Sequence, residues 1–324
     1  MAGLRVAVVG VGYMGRNHAR VVSELSSELP VELAAVVDVD ESRASAVAER
    51  YGATPYTSLE KMLGSEDLDA AIVATPTATH VSTALRLVEA GVKYILVEKP
   101  LAENTSTAKR LLDSLGGSGV ERLMVGHIER FNPAVRHLAR SLERGVLGEI
   151  ITASSRRVGP YVPRIRDVGV VMDLATHEID LSRLFFDSEP IGVYAYTYRV
   201  VNEVYEDAAI VVLHFEKGSS IIEVNRVTPY KERRLLLTCT RGVAQLDYIA
   251  QNLKLFNSEW EMEARILREE PLKIEDREFL KAALEGAPVP VNALDGYRVV
   301  EIAEAALESA ARGIVVRLSP GSEE

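Results

Sequence analysis

The segment that most restricts the fold is the apolar run Leu4–Val9, followed at once by Gly10-Val11-Gly12-Tyr13-Met14-Gly15 and then by Ala19, Val22 and Leu25 at helical spacing. This reads as strand, glycine turn and helix. In a GxGxxG turn the first glycine permits the bend, the second lets a pyrophosphate approach the backbone, and the third lets helix and strand pack closely. The phosphates of such a ligand rest on the N-terminal N–H groups of the helix. Glycines also cluster in ordinary turns, and it is the strand-helix-strand context that favours a dinucleotide. A second apolar run, Val31–Val37, ends in Asp38, where a carboxylate can accept hydrogen bonds from an adenosine ribose. Asp38, with Asp40 nearby, repels a 2'-phosphate, so NAD is expected in preference to NADP, and Arg43 works against that preference.

Alternation continues through a helix at Glu41–Tyr51, a short strand near Pro55, a strand at 70–74 and a helix at 80–90. A strand at 94–97 then ends in Glu98-Lys99-Pro100, and a helix at 105–115 leads to a sixth strand at 123–125. The pattern predicts a parallel, doubly wound α/β sheet whose ligands lie beyond the carboxyl ends of its strands. That rule selects the glycine turn, the turn Thr75-Pro76-Thr77-Ala78-Thr79-His80, and Glu98-Lys99-Pro100. Thr75, Pro76, His80, Glu98 and Lys99 therefore join Gly10, Gly12, Tyr13, Met14, Gly15 and Asp38 as candidate cofactor contacts. Thr75-Pro76 equally suits a plain strand-ending turn, and His80 a helix N-terminal residue without a ligand. Lys99, held between a buried-type strand and a proline, is a placed cation and the first candidate for catalysis. The Lys99-Pro100 bond admits a cis form.

From Gly126-His127-Ile128-Glu129-Arg130-Phe131-Asn132-Pro133 the texture changes, with Asn132 suited to an N-cap and Pro133 to the first helical position. Runs at 149–158, 191–201, 208–215, 220–227, 234–240 and 243–248 are separated by turns rather than helices. They predict an α+β domain with a large, mostly antiparallel sheet of about six strands. The chain therefore divides into a cofactor domain, 1–126, and a substrate and oligomerisation domain, 127–324. The run 208–215 is apolar on both faces. One face suits helices; the other suits a second subunit, giving a homo-oligomer (dimer or tetramer), or a broader intrachain layer. Helical patterns at 274–284 and 295–312 close the chain, and a chain ending this way often returns to brace its first domain.

Two features of this half carry chemistry. In Asp173-Leu174-Ala175-Thr176-His177-Glu178-Ile179-Asp180, a helix would put Asp173 and His177 on one face. Histidine can act as general base and a carboxylate can orient it or hold a substrate hydroxyl. A surface i,i+4 contact has the same spacing. One histidine without a second nearby does not suggest a metal. Arg156, Arg157, Arg164 and Arg166, interleaved with Gly159-Pro160-Tyr161-Val162-Pro163, could clamp an anion or form a solvated or intersubunit salt-bridge loop.

A net charge of -10 argues against nucleic acid or an anionic membrane as partner. The chain shows neither a secretory signal pattern nor an apolar run of roughly 18 residues, and cytoplasmic placement is expected. Cys239, the single cysteine, excludes an intrachain disulfide and a CxxC metal site.

The combination GVGYMG, ATPTATH, VEKP and MDLATHEID resembles the glucose-fructose oxidoreductase, inositol dehydrogenase and MocA (Gfo/Idh/MocA) family over essentially the whole chain. The resemblance implies an N-terminal Rossmann domain that binds NAD(P) and a C-terminal open-faced sheet domain that supplies the substrate side. It implies Lys99 and His177 as catalytic pair, in either order of roles, Asp173 as the group holding substrate or histidine, and Asp180 behind them. GHIERFNPAV, SRRVGPY and RIRDVGVVMDLATHEIDL look like the branch of UDP-N-acetylglucosamine 3-dehydrogenases. That similarity implies a nucleotide sugar oxidised at its C3 hydroxyl, with the four arginines on the diphosphate. Thr77 stands where many relatives carry Asn, which puts that turn's contact with the nicotinamide ribose in doubt. A dehydrogenase of a free sugar or polyol such as inositol is the alternative enzyme; a non-catalytic NAD- and sugar-binding regulator is disfavoured by the presence of both Lys99 and His177.

Overall fold

The computed structural model describes residues 3–161 and 168–319. It forms two compact units: Met1–His127 with Leu272–Arg298, and Ile128–Pro271 with Val299–Glu324. Residues 272–298, late in the chain, group with the first unit, earlier than the return expected of the helix at about 292–312. The Tyr94 hydroxyl donates to the Ala287 carbonyl at 3.0 Å, and Met124 forms a β-bridge with Asn292.

The first unit runs β1 (Leu4–Val9), α1 (Tyr13–Leu25), β2 (Val31–Val37), α2 (Glu41–Tyr51), β3 (Thr54–Tyr56), α3 (Leu59–Leu63), β4 (Ala70–Val73), α4 (Thr77–Glu89), β5 (Tyr94–Glu98), α5 (Thr105–Val120) and β6 (Leu123–Gly126). The strands are parallel in the order β3-β2-β1-β4-β5-β6. Strands covered by helices on both faces must be apolar throughout, and β4 and β5 are buried along their whole length. The order reverses between β1 and β4, which opens a crevice at the carboxyl ends of these strands. The helix expected to stop at 115 continues past a break at Gly116, whose φ of 63° no helix accommodates.

Two glycines of the first turn are required by packing. Gly10 has φ +85°, and a Cβ on Gly15 would lie 1.8 Å from the Gly10 carbonyl oxygen. Gly12, by contrast, has no heavy atom within 4 Å of the position a Cβ would take.

The second unit contains α6 (Pro133–Glu143), β7 (Ile150–Val158), a π-helical turn (Val171–Ala175), α7 (Thr176–Phe186), β8 (Gly192–Tyr198), β9 (Ala208–Phe215), β10 (Gly218–Asn225), β11 (Glu232–Cys239), β12 (Gly242–Asp247), β13 (Asn252–Phe256) and β14 (Glu261–Glu263). After α8 (Pro271–Glu285), and α9 (Ala293–Arg312), which begins in the first unit, β15 (Val316–Arg317) completes it. Its sheet has nine strands, β14-β13-β12-β11-β7-β10-β9-β8-β15, and is mixed because β7 and β10 pair in parallel. The expected count of about six is corrected by β13, β14 and β15, of which β14 and β15 are only three and two residues long and too short to declare a period of two. One face is the core: Leu235, Leu237, Leu246 and Leu253 pack with Leu138 of α6 and Leu181 of α7. Asn132 caps α6 by accepting the Ala134 N–H at 3.1 Å. Among the described residues, no helix is long and apolar enough to cross a membrane.

Gly15→Ala should lower unfolding free energy by about 1–3 kcal/mol, the usual effect of forcing an atom into a packed interior, whereas Gly12→Ala should stay within about 1 kcal/mol of wild type. Denaturant melts of the two variants compare them directly; equal losses would contradict the assigned packing.

Candidate active site

The turn Gly10–Gly15 leaves the carboxyl end of β1 and enters α1, so unpaired N–H groups and the positive end of the helix dipole face the same space. Asp38, at the end of β2, is buried; its Oδ2 accepts the Val11 N–H at 3.0 Å and its Oδ1 accepts the Asp40 N–H at 3.0 Å. The carboxylate thus fastens the glycine turn as well as offering its remaining lone pairs to a ribose. Arg43 donates to Asp38 at 3.3 Å and to Asp40 at 3.2 Å. Across the crevice, Thr75 Oγ1 is buried without a hydrogen-bond partner among the described residues. Open space above Gly12, a helix N-terminus and an unsatisfied hydroxyl together fit a dinucleotide. Gly12, Tyr13 and Met14 would meet its pyrophosphate, and Asp38 its adenosine ribose.

His80 lies within the first turns of α4 and faces inward. Its Nδ1 is 2.9 Å from the Pro100 carbonyl and its Nε2 is 2.8 Å from the Thr75 carbonyl. Burial lowers its pKa, and a neutral ring has one N–H for these two acceptors. His80 thus stands between two strand-end turns and donates to the carbonyl of one of them. The Lys99-Pro100 peptide is cis. Glu98 is likewise committed inward, its Oε2 accepting the Lys99 N–H at 3.0 Å and its Oε1 lying 3.1 Å from His18 Nε2. Lys99 therefore follows a strand whose last side chain holds its own backbone. His18 escaped the sequence reading, although a histidine among the polar residues Arg16 and Asn17, at the sixth position of α1, was a visible signal.

In the second unit, Asp173 lies in the π-helical turn that leads into α7, which carries His177. Such turns recur at functional sites, and they break the α-helical spacing on which an Asp173–His177 face was expected. The Asp173 carboxylate accepts from Arg226 Nη2 at 2.9 Å, and Arg226 also donates to the Val168 carbonyl at 3.3 Å. Glu206 accepts the Val171 N–H at 2.9 Å at the start of the turn. His177 is buried. Asp180 receives a bidentate pair of bonds from Arg130 at 2.8 and 2.6 Å.

Of the four arginines weighed as an anion clamp or a salt-bridge loop, the two described, Arg156 and Arg157, do not share a face. Successive strand residues point to opposite faces, so Arg156 and Arg157 part company on β7. Arg157 is 2% exposed. Its Nε donates to Glu178 at 2.7 Å, its Nη2 to Glu129 at 2.8 Å, and its guanidinium lies over the Tyr248 ring. Burial works against its charge, but Glu178 and Glu129 raise its pKa above the ordinary arginine value. Arg156 takes the other face and pairs with Glu223 at 3.0 Å and with Glu232. Arg164 and Arg166 lie outside the described residues.

Cations that the sequence reading missed stand nearby. Arg233 pairs in register with Arg157, and its Nη1 lies 3.6 Å from Glu129. Burial and then the Arg157 charge lower the Arg233 pKa, while the Arg233 charge is the main cause lowering that of Lys231. Arg157→Met should cost about 3–5 kcal/mol of stability by stranding two buried carboxylates, and Arg156→Met less than about 1 kcal/mol. Urea unfolding tests this difference, and a larger loss at Arg156 would reverse the two assignments.

Comparison with known proteins supplies the family. Residues 4–127 match the model of the Gfo/Idh/MocA oxidoreductase family with an NAD-binding Rossmann fold, and residues 135–245 match the Gfo/Idh/MocA C-terminal domain. The chain is 30% identical to a UDP-N-acetylglucosamine 3-dehydrogenase of Acidithiobacillus ferrooxidans, over 93% of this chain and 91% of the relative. It is 29% identical to an inositol 2-dehydrogenase of Saccharopolyspora erythraea, over 96% of this chain and 94% of that one. A solved structure of the UDP-N-acetylglucosamine 3-dehydrogenase from Acidithiobacillus ferrooxidans superposes with a TM-score of 0.85 at 27% identity, covering 96% of this chain and 99% of the other. With both family domains matched in order, the chain belongs to the Gfo/Idh/MocA family of oxidoreductases.

Proposed function

We propose that the protein oxidises the C3 hydroxyl of a nucleotide sugar, UDP-N-acetylglucosamine or a near relative, to a 3-keto sugar with NAD. The observation that carries this reading is the match to a UDP-N-acetylglucosamine 3-dehydrogenase over 93% of the chain. Bound NAD supplies the hydride acceptor. His177 takes the hydroxyl proton, and Lys99 hydrogen-bonds the reacting oxygen and offsets its developing negative charge. Asp173, fixed by Arg226, holds a substrate hydroxyl or orients His177. Arg156 and Arg157 are held closely by carboxylates, so the diphosphate falls to Arg233, whose contact with Glu129 is a longer 3.6 Å, and to Lys231, whose pKa the Arg233 charge lowers.

A second reading, oxidation of a free polyol, is favoured by the inositol dehydrogenase relative and by the neutralised Arg156 and Arg157. NADH absorbance with a panel of UDP-sugars and polyols separates the two, with 2-oxoglutarate added in parallel to reveal an enzyme that keeps its reduced cofactor. A response to UDP-N-acetylglucosamine supports the first reading; a response confined to polyols replaces it.

The outer face of the second sheet supports a homo-oligomer. Tyr196, Ile210 and Ile221 are exposed on the adjacent strands β8, β9 and β10, in a patch that alternates with the buried face.

Lys99→Met should lower kcat by at least about 10²-fold while NADH binding changes by less than about threefold; retained turnover would remove Lys99 from catalysis. Arg233→Ala should raise KM for the UDP-sugar at least about tenfold more than for a neutral sugar, as loss of a charged contact does. Equal effects on both substrates count for the polyol reading. Ile210→Glu with Ile221→Glu should halve or quarter the mass seen by light scattering, and an unchanged mass contradicts an interface on this face.

A further inference from the structure

We propose that His18 is a positioning residue for Lys99: it holds the Glu98 carboxylate against the Lys99 amide and so fixes the backbone from which the Lys99 side chain projects. The inference rests on the catalytic reading of Lys99 given above.

Three elements of the first unit meet at His18. The residue itself belongs to α1, the helix that follows the glycine turn; Glu98 ends β5; Asp276 comes from α8, far away in sequence. His18 and Asp276 have no exposed surface, and Glu98 has 7%. Nδ1 of His18 lies 2.8 and 3.0 Å from the two Asp276 oxygens, and Nε2 lies 3.1 Å from Glu98 Oε1. Carboxylates only accept, so both ring nitrogens must donate and the ring is an imidazolium. Burial opposes that charge, but Asp276 and then Glu98 outweigh it and raise the His18 pKa well above its ordinary value. Burial likewise works to raise the Glu98 pKa, and the His18 hydrogen bond and charge bring it below the usual range. His18, Glu275 and Asp276 also bring metal-ligating atoms within 4.8 Å of one another, but the His18–Asp276 distances are those of direct hydrogen bonds.

A histidine that only filled space in the core would leave Lys99 indifferent to it. The second oxygen of Glu98 makes the difference, because it accepts the Lys99 N–H at 3.0 Å. Gly126 leaves this carboxylate its room: a Cβ there would stand 3.2 Å from Glu98 Oε2 and 3.3 Å from Glu98 Cα. Without His18, a buried carboxylate must protonate or turn toward other donors, and either change alters the bond that anchors Lys99. Through the same histidine, the helix that bears the glycine turn is fastened to the strand end that presents the lysine.

The test uses two substitutions that keep different halves of the imidazole. His18→Gln keeps a donor near the Nε2 position, toward Glu98; His18→Asn keeps one near Nδ1, toward Asp276. Hydrogen exchange at the Lys99 amide requires no substrate, and it should quicken at least about tenfold in His18→Asn and return most of the way in His18→Gln. In NAD-dependent turnover of whichever sugar or polyol the wild type oxidises, kcat should fall at least about tenfold in His18→Asn, with partial rescue in His18→Gln and NADH affinity within about threefold. Asp276→Asn, which keeps the shape and removes one charge, serves if His18→Asn does not fold, and the same two changes are expected in smaller measure. Unchanged Lys99 exchange, unchanged kcat, or equal losses in the Gln and Asn variants that follow their melting temperatures would overturn the proposal. Active Lys99→Met overturns the reading of Lys99 instead, and is seen separately.

Discussion

The Glu98 carboxylate has almost no contact with water, so its charge is sustained by the donors that reach it: the His18 ring on one oxygen and the Lys99 amide on the other. A buried ion without partners is strongly disfavoured, and the partners here come from elements distant in the chain. The consequence is mechanical. α1, β5 and α8 cannot shift independently without exposing or stranding a charge, and the turn that begins α1 and the lysine that follows β5 share one support. The second unit repeats the arrangement with the signs exchanged. Arg157 on β7 sits between Glu178 on α7 and Glu129, and the Tyr248 hydroxyl donates to the same Glu178 at 3.1 Å. His177 is the residue before Glu178, so the helix that presents the proposed base is pinned through its neighbour.

What the sequence reveals and what it hides follow the range of each interaction. Gly10, Gly15 and Asp38 were legible because a strand, a turn and a helix N-terminus are local structures with local chemical requirements. The order of the parallel sheet follows from alternation and from the handedness of its crossovers. Lys99 was legible because a buried-type strand stops abruptly before it. The arginine loop misled because adjacent positions in a strand face apart: Arg156 and Arg157 look like a pair in one dimension and occupy two surfaces in three. Asp173 and His177 were placed on an α-helical face that the π-helical turn at Val171–Ala175 does not provide. Asp276 was invisible for a simpler reason. In Glu275-Asp276-Arg277-Glu278 it reads as one more charge on a solvated helix, and only the tertiary fold shows that it and Glu275 are fully buried. His80 was found for its position, while its two carbonyl partners, Thr75 and Pro100, are set by the approach of separate strand ends.

These placements separate cations that are already satisfied from cations that can still take a ligand, and that distinction bears on both ligands of the enzyme. Counting arginines cannot make it. Arg43 stands beside Asp38, the residue proposed for the adenosine ribose, where an arginine could welcome a 2'-phosphate, yet it is shared between Asp38 and Asp40. A 2'-phosphate would have to displace those bonds while approaching two carboxylates, so Arg43 gives NADP less help than its position suggests and Asp38 is left to the ribose of NAD. Arg156 and Arg157 are neutralised in the same way. Arg233, at 3.6 Å from Glu129, is paired less closely than Arg156 and Arg157, and it and Lys231 each have a pKa lowered in part by a neighbouring positive charge. A dianionic diphosphate placed among them would gain two attractions and remove a repulsion, whereas a neutral polyol would do neither. In a chain of net charge -10, such local crowding of like charge, rather than the number of basic residues in a loop, is what would favour an anionic ligand over a neutral one.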